Sequence, residues 1–215
     1  MRYLETIIGS GLFSKIKKSD YIRTFEELSV FGRRLKKGYV IYDEGDLVDR
    51  ICILKYGTVR GEKVYTDGDL HIIHVYDKGS LFALEAAVSE RKTSPINYIC
   101  SEDSTVVSIT MESIYRSNLC EEILTAIMEK MASDNIKKMH KIEILAQRGL
   151  RDRLLMYFSL LEKKDGDEKG SFILQMGREE LAQFLSVNRS ALSNELNKMK
   201  REGVLEFNKG TYRLL

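Results

Sequence analysis

The sequence predicts an α+β chain: a β-rich N-terminal domain, one long helix, and a small C-terminal domain of paired helices closed by a β hairpin. From about Leu35 to Met111, short runs rich in β-branched and aromatic residues are punctuated by glycine, the pattern of strands joined by tight turns. After Met111 the spacing of apolar residues changes from about two to about 3.6, the helical period. Residues 176–215 then hold two short amphipathic runs at helix-turn-helix spacing, followed by two β runs. A length of 215 residues suits two small domains. Composition, with 43% hydrophobic and 31% charged residues, one Pro and 15 Gly, excludes disordered and fibrous classes.

Residues 1–31 carry one or two short helical patterns. The strand candidates follow: YVIY before Gly45, RICILKY before Gly57, LHIIHVY before Gly79 after a charged turn at Asp67-Gly68-Asp69, then INYICS and STVVSIT. Many short strands with close turn signals favour a sandwich, barrel or jelly roll over alternating β/α units. Division falls at 1–120, 121–148 and 149–215.

The long helix spans about Glu121 to Arg148, roughly 42 Å at 1.5 Å per residue, more than a small domain needs for its own packing. Leu124, Met128, Met131, Asn135, Met139, Ile142 and Leu145 form one stripe. The helix either packs on its own β-domain or pairs with a second chain as a coiled coil, with Asn135 as the polar residue that sets register.

Residues 150–162 form an amphipathic helix and KKDGDEKG a charged connection. In the last segment Leu181, Ala182 and Leu185 line one short helix, Val187 sits in the turn, and Leu192, Leu196 and Met199 line a second. Asn188 is placed to cap that second helix and Gly203 to stop it. VLEF and TYRLL around Asn208-Lys209-Gly210 read as a hairpin, or wing. The second helix, running from Arg189 to about Arg201, then exposes Arg189, Ser190, Ser193, Asn194, Asn197 and Lys198, polar heads suited to base edges in a major groove, while Arg178 is placed to hold a phosphate. Net charge is only +2, but its distribution is uneven. Residues 1–111 carry 16 basic and 16 acidic side chains, whereas 148–215 carry 13 and 10, so the excess sits with the helix pair.

No window approaches the roughly 18–20 apolar residues of a membrane helix, and MRYLETIIGSGLFSKIKKSD lacks the apolar region of a secretory signal. Cys52, Cys100 and Cys120 are odd in number and lack C-x-x-C spacing, which argues against disulfides and predicts a reducing cytoplasm. Partners therefore exclude a membrane.

Taken with KKGYVIYDEGD, ICILKYGTVRG, GSLFALEAAV and REELAQFLSVNRSALSNELNKMKREGVL, the whole chain resembles a transcription regulator of the cyclic-AMP receptor protein and fumarate-nitrate regulator (CRP/FNR) superfamily. The resemblance implies a double-stranded β-helix (jelly roll) of cyclic-nucleotide-binding-like type, a long dimerisation helix and a C-terminal winged helix-turn-helix. It implies a homodimer that binds double-stranded DNA at a palindromic operator, its half-sites about 34 Å apart, with RNA polymerase as a further partner. It also implies Asn188 among the DNA-binding positions and a small-molecule effector acting through a hinge near Gly149 to Asp152. Ser186 stands where members commonly have Gly; a positive φ there costs on the order of 1 kcal/mol. Ser190 and Asn194 replace a Glu and an Arg that contact bases in many members, while Arg189 is retained, which implies a different operator.

Members that bind cyclic AMP carry a Gly-Glu pair and an Arg-Ser pair; alignment on Gly79 gives Ala83-Leu84 and Ser94-Pro95 instead. Glu85 is one position late, which on a strand turns it to the opposite face, and Arg91 three positions early. Without a cation a cyclic phosphate forgoes a charge-assisted bond of roughly 1.5–3 kcal/mol. Lys138 and Met139 fall where the family uses small hydroxyl residues against adenine. The effector is therefore expected to be other than cyclic AMP, in a pocket near Leu81, Phe82, Leu84, Thr93, Ser94 and Met139; the same side chains also suit plain jelly-roll core.

No metal or other cofactor is expected. Iron-sulfur sensing needs four thiolates, and this chain has three cysteines. A haem-based gas sensor remains an alternative because a single His can ligate iron, but His71 and His74, three apart on a strand, face opposite sides and make no joint site. A cupin-like enzyme needs converging His and carboxylate ligands, and three histidines, one of them His140 on the long helix, do not supply them. With no P-loop, G-x-S-x-G or G-x-G-x-x-G either, no enzyme is expected. A regulatory module without DNA binding is the other alternative, opposed by the winged helix-turn-helix.

Overall fold

The computed structural model describes residues 1–65, 70–174, 176–208 and 210–215, with only the backbone of 70 and 71. The turn read at Asp67-Gly68-Asp69 and the central Lys209 of the hairpin turn lie outside the described residues. Two compact units divide between Ala132 and Ser133.

The first unit begins with α1 (Leu4–Gly9), a 3-10 turn (Lys18–Asp20) and α2 (Tyr21–Glu27). The strands are β1 (Val30–Leu35), β2 (Val40–Tyr42), β3 (Arg50–Tyr56), β4 (Val59–Val64), β5 (Leu70–Tyr76), β6 (Leu81–Phe82), β7 (Asn97–Cys100) and β8 (Ser104–Thr110), with α3 (Leu84–Val88) between β6 and β7. They form two four-stranded antiparallel sheets, ordered β1-β8-β3-β6 and β2-β7-β4-β5, whose non-consecutive neighbours are those of a jelly roll. β3 holds a run of four buried apolar residues, Ile51 to Leu54, and so lacks the alternation of a half-exposed strand. Gly57 turns β3 into β4 at φ +88°, and any Cβ there would lie 2.8 Å from the Asp103 carbonyl oxygen.

Two expectations need correction. Glu85 does not alternate on a strand: residues 84–88 are helical, entered through Ala83 at φ +56°, and Glu85 lies in the first turn. The opposite facing of His71 and His74 assumed unbroken alternation, but β5 is bulged against β4, its partner residues shifting between Gly61 and Glu62. The His71 side chain lies outside the described residues, and the His74 ring packs on Tyr76 at 4.5 Å.

After α4 (Met111–Arg116), capped by the Thr110 hydroxyl accepting from the Ser113 amide, comes α5 (Cys120–Leu145). At 26 residues, about 39 Å, it starts one residue earlier and ends three earlier than expected. Ile123 and Ile127 are buried in the β-domain core, and Leu124 and Met131 pack half-buried against it. The Glu27 carboxylate accepts from the Asn118 side-chain amide (2.7 Å), the Asn118 backbone (2.9 Å) and the Ser117 hydroxyl (2.8 Å), which ties α2 to the start of α5. Those bonds, Asn118 foremost, hold the Glu27 carboxyl below the usual carboxylate range. Lys15 pairs with Glu129 at 2.7 Å. Of the expected stripe, Met128, Asn135, Met139 and Ile142 face solvent, Leu145 is half-buried, and Leu124 and Met131 are shared with the chain's own core; exposed Ile136 joins the solvent-facing members.

The second unit takes the end of α5, then α6 (Leu150–Asp165), β9 (Ser171–Ile173), α7 (Arg178–Phe184), α8 (Arg189–Arg201), β10 (Leu205–Asn208) and β11 (Thr211–Leu214). The strands form an antiparallel sheet ordered β10-β11-β9. Its core joins Ile144 of α5 to Leu154, Phe158, Phe172, Leu181, Leu192, Leu196, Met199 and Tyr212. Among the described residues no helix is long and apolar enough to cross a membrane.

Candidate nucleic-acid interface

The site is built on α7 and α8. Gly177 precedes α7, and its amide donates to the Glu180 carboxylate at 2.7 Å, satisfying one of the unpaired donors at the helix start. At the far end the Ser186 amide donates to the Gln183 carbonyl (3.1 Å) and the Val187 amide to the Ala182 carbonyl (2.9 Å). This is a Schellman turn whose left-handed position, φ +55°, is filled by Ser186 in place of glycine. The strain expected at Ser186 is present.

Asn188 caps α8: its Oδ1 accepts from the Ala191 amide at 2.7 Å and from the Ser190 hydroxyl at 2.8 Å. The carbonyl of Asn188 is thus committed to the helix start, leaving its amide group as the part able to contact DNA. The helix ends in a second Schellman turn, with the Gly203 amide on the Lys200 carbonyl (3.2 Å), the Val204 amide on the Met199 carbonyl (3.0 Å), and Gly203 at φ +68°. Leu192, Leu196 and Met199 are fully buried, which fixes the rotation of α8 about its axis. Arg189, Ser190, Asn194, Asn197 and Lys198 consequently face solvent, and Ser193 is half-buried.

Arg189 lies 3.9 Å from the Glu179 carboxylate with both side chains largely exposed, a loose pair worth roughly 0–1 kcal/mol that a DNA acceptor can displace. Arg178 opens α7 and rests over the Phe207 ring, 4.9 Å from its centre. Sequence reasoning missed Lys200 and Arg201, which line one concavity with Asn194 and Asn197. Extending the exposed face of α8 from Asn197 by one turn identifies Arg201.

The residues expected to line an effector pocket are placed differently. Phe82, Leu84 and Ser94 are buried, Leu81 is half-buried and Thr93 exposed. Ser94 donates to the Ile96 carbonyl at 2.6 Å. The Tyr76, Phe82 and Tyr98 rings pack with centres 5.5–5.8 Å apart, so Phe82 and Leu84 serve as core. Met139, assigned to the same pocket, belongs to the second unit and is exposed on α5. Burial pushes the Cys52 thiol up to about 12, and Cys100 is raised for the same reason, so neither is a reactive thiolate near neutrality. Among the described residues no group of three or more His, Cys, Asp or Glu side chains forms a metal site.

A family model for the cyclic nucleotide-binding domain matches residues 32–117, and one for the Crp-like helix-turn-helix domain matches 150–215. The transcriptional regulatory protein btr of Bordetella pertussis is 23% identical over 200 residues, covering 90% of this chain and 81% of btr. Of solved structures, CprK complexed with OCPA superposes with a TM-score of 0.64 at 14% identity, covering 89% of this chain and 87% of CprK. The global regulator CLP of Xanthomonas campestris gives 0.58 at 17% identity, covering 92% and 99%. Matched at both domains and joined by α5, the chain belongs to the CRP/FNR superfamily of transcription regulators.

Proposed function

We propose that the chain is a homodimeric regulator that reads a specific operator with α8 and answers to an effector other than cyclic AMP. The observation that carries this reading is the capped helix α8, whose rotation is set by three buried apolar residues so that Arg189, Ser190, Asn194 and Asn197 all point outward. Dimerisation is supported by exposed Met128, Ile136, Met139 and Ile142 on α5, which leave an apolar stripe that a second α5 would cover. The effector reading is supported by Leu84 and Ser94, a buried aliphatic and a hydroxyl already bonded to a carbonyl, where cyclic-AMP-binding members have a Glu and an Arg. The reading places the protein in the cytoplasm with DNA.

The deciding experiment measures binding of an end-labelled duplex from the upstream region of the chain's own gene against a shuffled duplex. Wild-type protein binds the upstream duplex more tightly, and Arg189→Ala weakens that binding by about 1–3 kcal/mol while leaving the shuffled duplex nearly unchanged. Equal loss on both duplexes removes Arg189 from base readout. Sedimentation giving a monomer at micromolar concentration removes the dimer, and calorimetry showing micromolar cyclic AMP binding removes the effector reading.

A further inference from the structure

Phe207 is half-buried in β10 and opposes Tyr212 across the hairpin. The two rings stack with centres 5.5 Å and planes 26° apart. Tyr212 stacks in turn on Phe172 (6.1 Å, 17°) and meets Phe158 at 5.3 Å. Phe158 and Phe172 are fully buried, so a line of rings runs from the core to the surface and holds its outermost member, Phe207, in place.

Two cations share that outer ring. The Arg178 guanidinium, from the first residue of α7, lies 4.9 Å from its centre, and the Lys200 ammonium, from the last turn of α8, lies 4.7 Å away. Lys200 also donates to the Phe207 carbonyl at 3.2 Å, using one of its three donors. Lys200 borders both the concavity lined by Asn194, Asn197 and Arg201 and the one lined by Phe207, Asn208 and Thr211 of the hairpin.

We infer that Phe207 is a positioning residue that presents Arg178 and Lys200 together to DNA phosphates, carrying backbone contact from α8 across to the hairpin. An aromatic face attracts each cation through its quadrupole, so two long side chains are ordered before DNA arrives. A phosphate that meets both heads offsets the repulsion of two like charges gathered on one ring. The acidic residues next to the three in sequence are engaged elsewhere: Glu206 pairs with Arg213 (3.2 Å), Glu179 lies 3.9 Å from Arg189, and Glu202 pairs with Arg151. The inference rests on the DNA-binding reading above.

The test uses the full chain and a random-sequence duplex, with log Kd followed against log salt concentration. Lys200→Ala and Arg178→Ala each lower the magnitude of the slope by about 0.9, and each weakens the random and upstream duplexes alike, because phosphate contacts carry no sequence information. Phe207→Leu weakens both duplexes about five- to tenfold, whereas Phe207→Trp, which keeps a ring face, stays within about twofold. In the Phe207→Leu background, Lys200→Ala adds less than it does alone. An unchanged slope for Lys200→Ala overturns the inference, as does equal weakening by Phe207→Leu and Phe207→Trp, which marks the ring as filler. Should Phe207→Leu fail to fold, the Lys200→Ala slope and the Phe207→Trp affinity decide. If Arg189→Ala abolishes operator preference while the Lys200→Ala slope is unchanged, the DNA-binding reading stands and the clamp alone falls. Wild-type protein that binds neither duplex removes both.

Discussion

The two ends of α5 are held by different physics. Its first turns are built into the β-domain by two fully buried residues, Ile123 and Ile127, with Glu27 fastening the turn before it. Its last turns hold to the second unit through one buried residue, Ile144, and through polar and cationic ties. Lys141 lies 5.3 Å from the Phe184 ring centre. Arg153 donates to the Gln147 carbonyl (3.2 Å) just beyond α5 and to the Leu185 carbonyl (3.0 Å) at the end of α7. One guanidinium thus serves unpaired carbonyls at two helix ends. Arg153 directly follows the segment expected to act as a hinge, Gly149 to Asp152, and the boundary between the two compact units lies inside α5. The difference teaches how one helix is anchored in two ways: by apolar burial at its start, and by polar contacts concentrated on Arg153 at its end.

The largest effect expected breaks the comparison at its cores. Phe158→Ala removes a fully buried ring that meets Phe172 and Tyr212, at a cost of about 3–5 kcal/mol. Ile123→Ala costs the β-domain about 2–5 kcal/mol. Denaturant unfolding followed by hydrogen exchange in each unit reads the result: each substitution lowers protection in its own unit first. Equal loss in both units for both variants shows one cooperative core and ends the distinction.

Next is Arg153→Met, which strands two carbonyls and costs about 2 kcal/mol in the second unit. Faster exchange at Ser186 and Val187 is the specific readout, and protection there equal to wild type removes Arg153 as the link. Glu27 offers a pH handle on the other end. Its folded-state titration lies below the unfolded value of about 4.3, so its contribution is present above that pH and is lost as pH falls through the lower folded value. Between about pH 5 and 3 the β-domain loses stability faster in wild type than in Glu27→Gln; parallel curves dismiss the tie. The smallest change is Ser186→Gly, which relieves a left-handed residue and raises stability by about 0.5–1 kcal/mol in thermal melts. A fall in melting temperature there points to side-chain contacts outweighing backbone strain.

Much of this site is legible in the sequence because its determinants are local. Asn188 before a helix and Gly203 after it announce their caps by residue type, and the Leu192, Leu196, Met199 spacing sets which face turns outward. What was illegible depends on distant partners. Ala83 has no residue-type signal for a left-handed conformation, so the helix after it and the place of Glu85 were missed. Ser171–Ile173 is too short for a strand signal and pairs only because β11 offers an edge. Lys200 reads as one more exposed lysine until Phe207, seven residues on, comes back beside it.

The sequence by itself determined the order of elements, the capped helix pair and the family, because periodicity and capping act within a few residues along the chain. Only the tertiary structure decided which half of the α5 stripe is shared with the chain's own core, where the chain divides into units, and which cations gather on one ring. Those outcomes depend on residues far apart in sequence meeting in space, where burial and aromatic faces fix positions that local pattern leaves open.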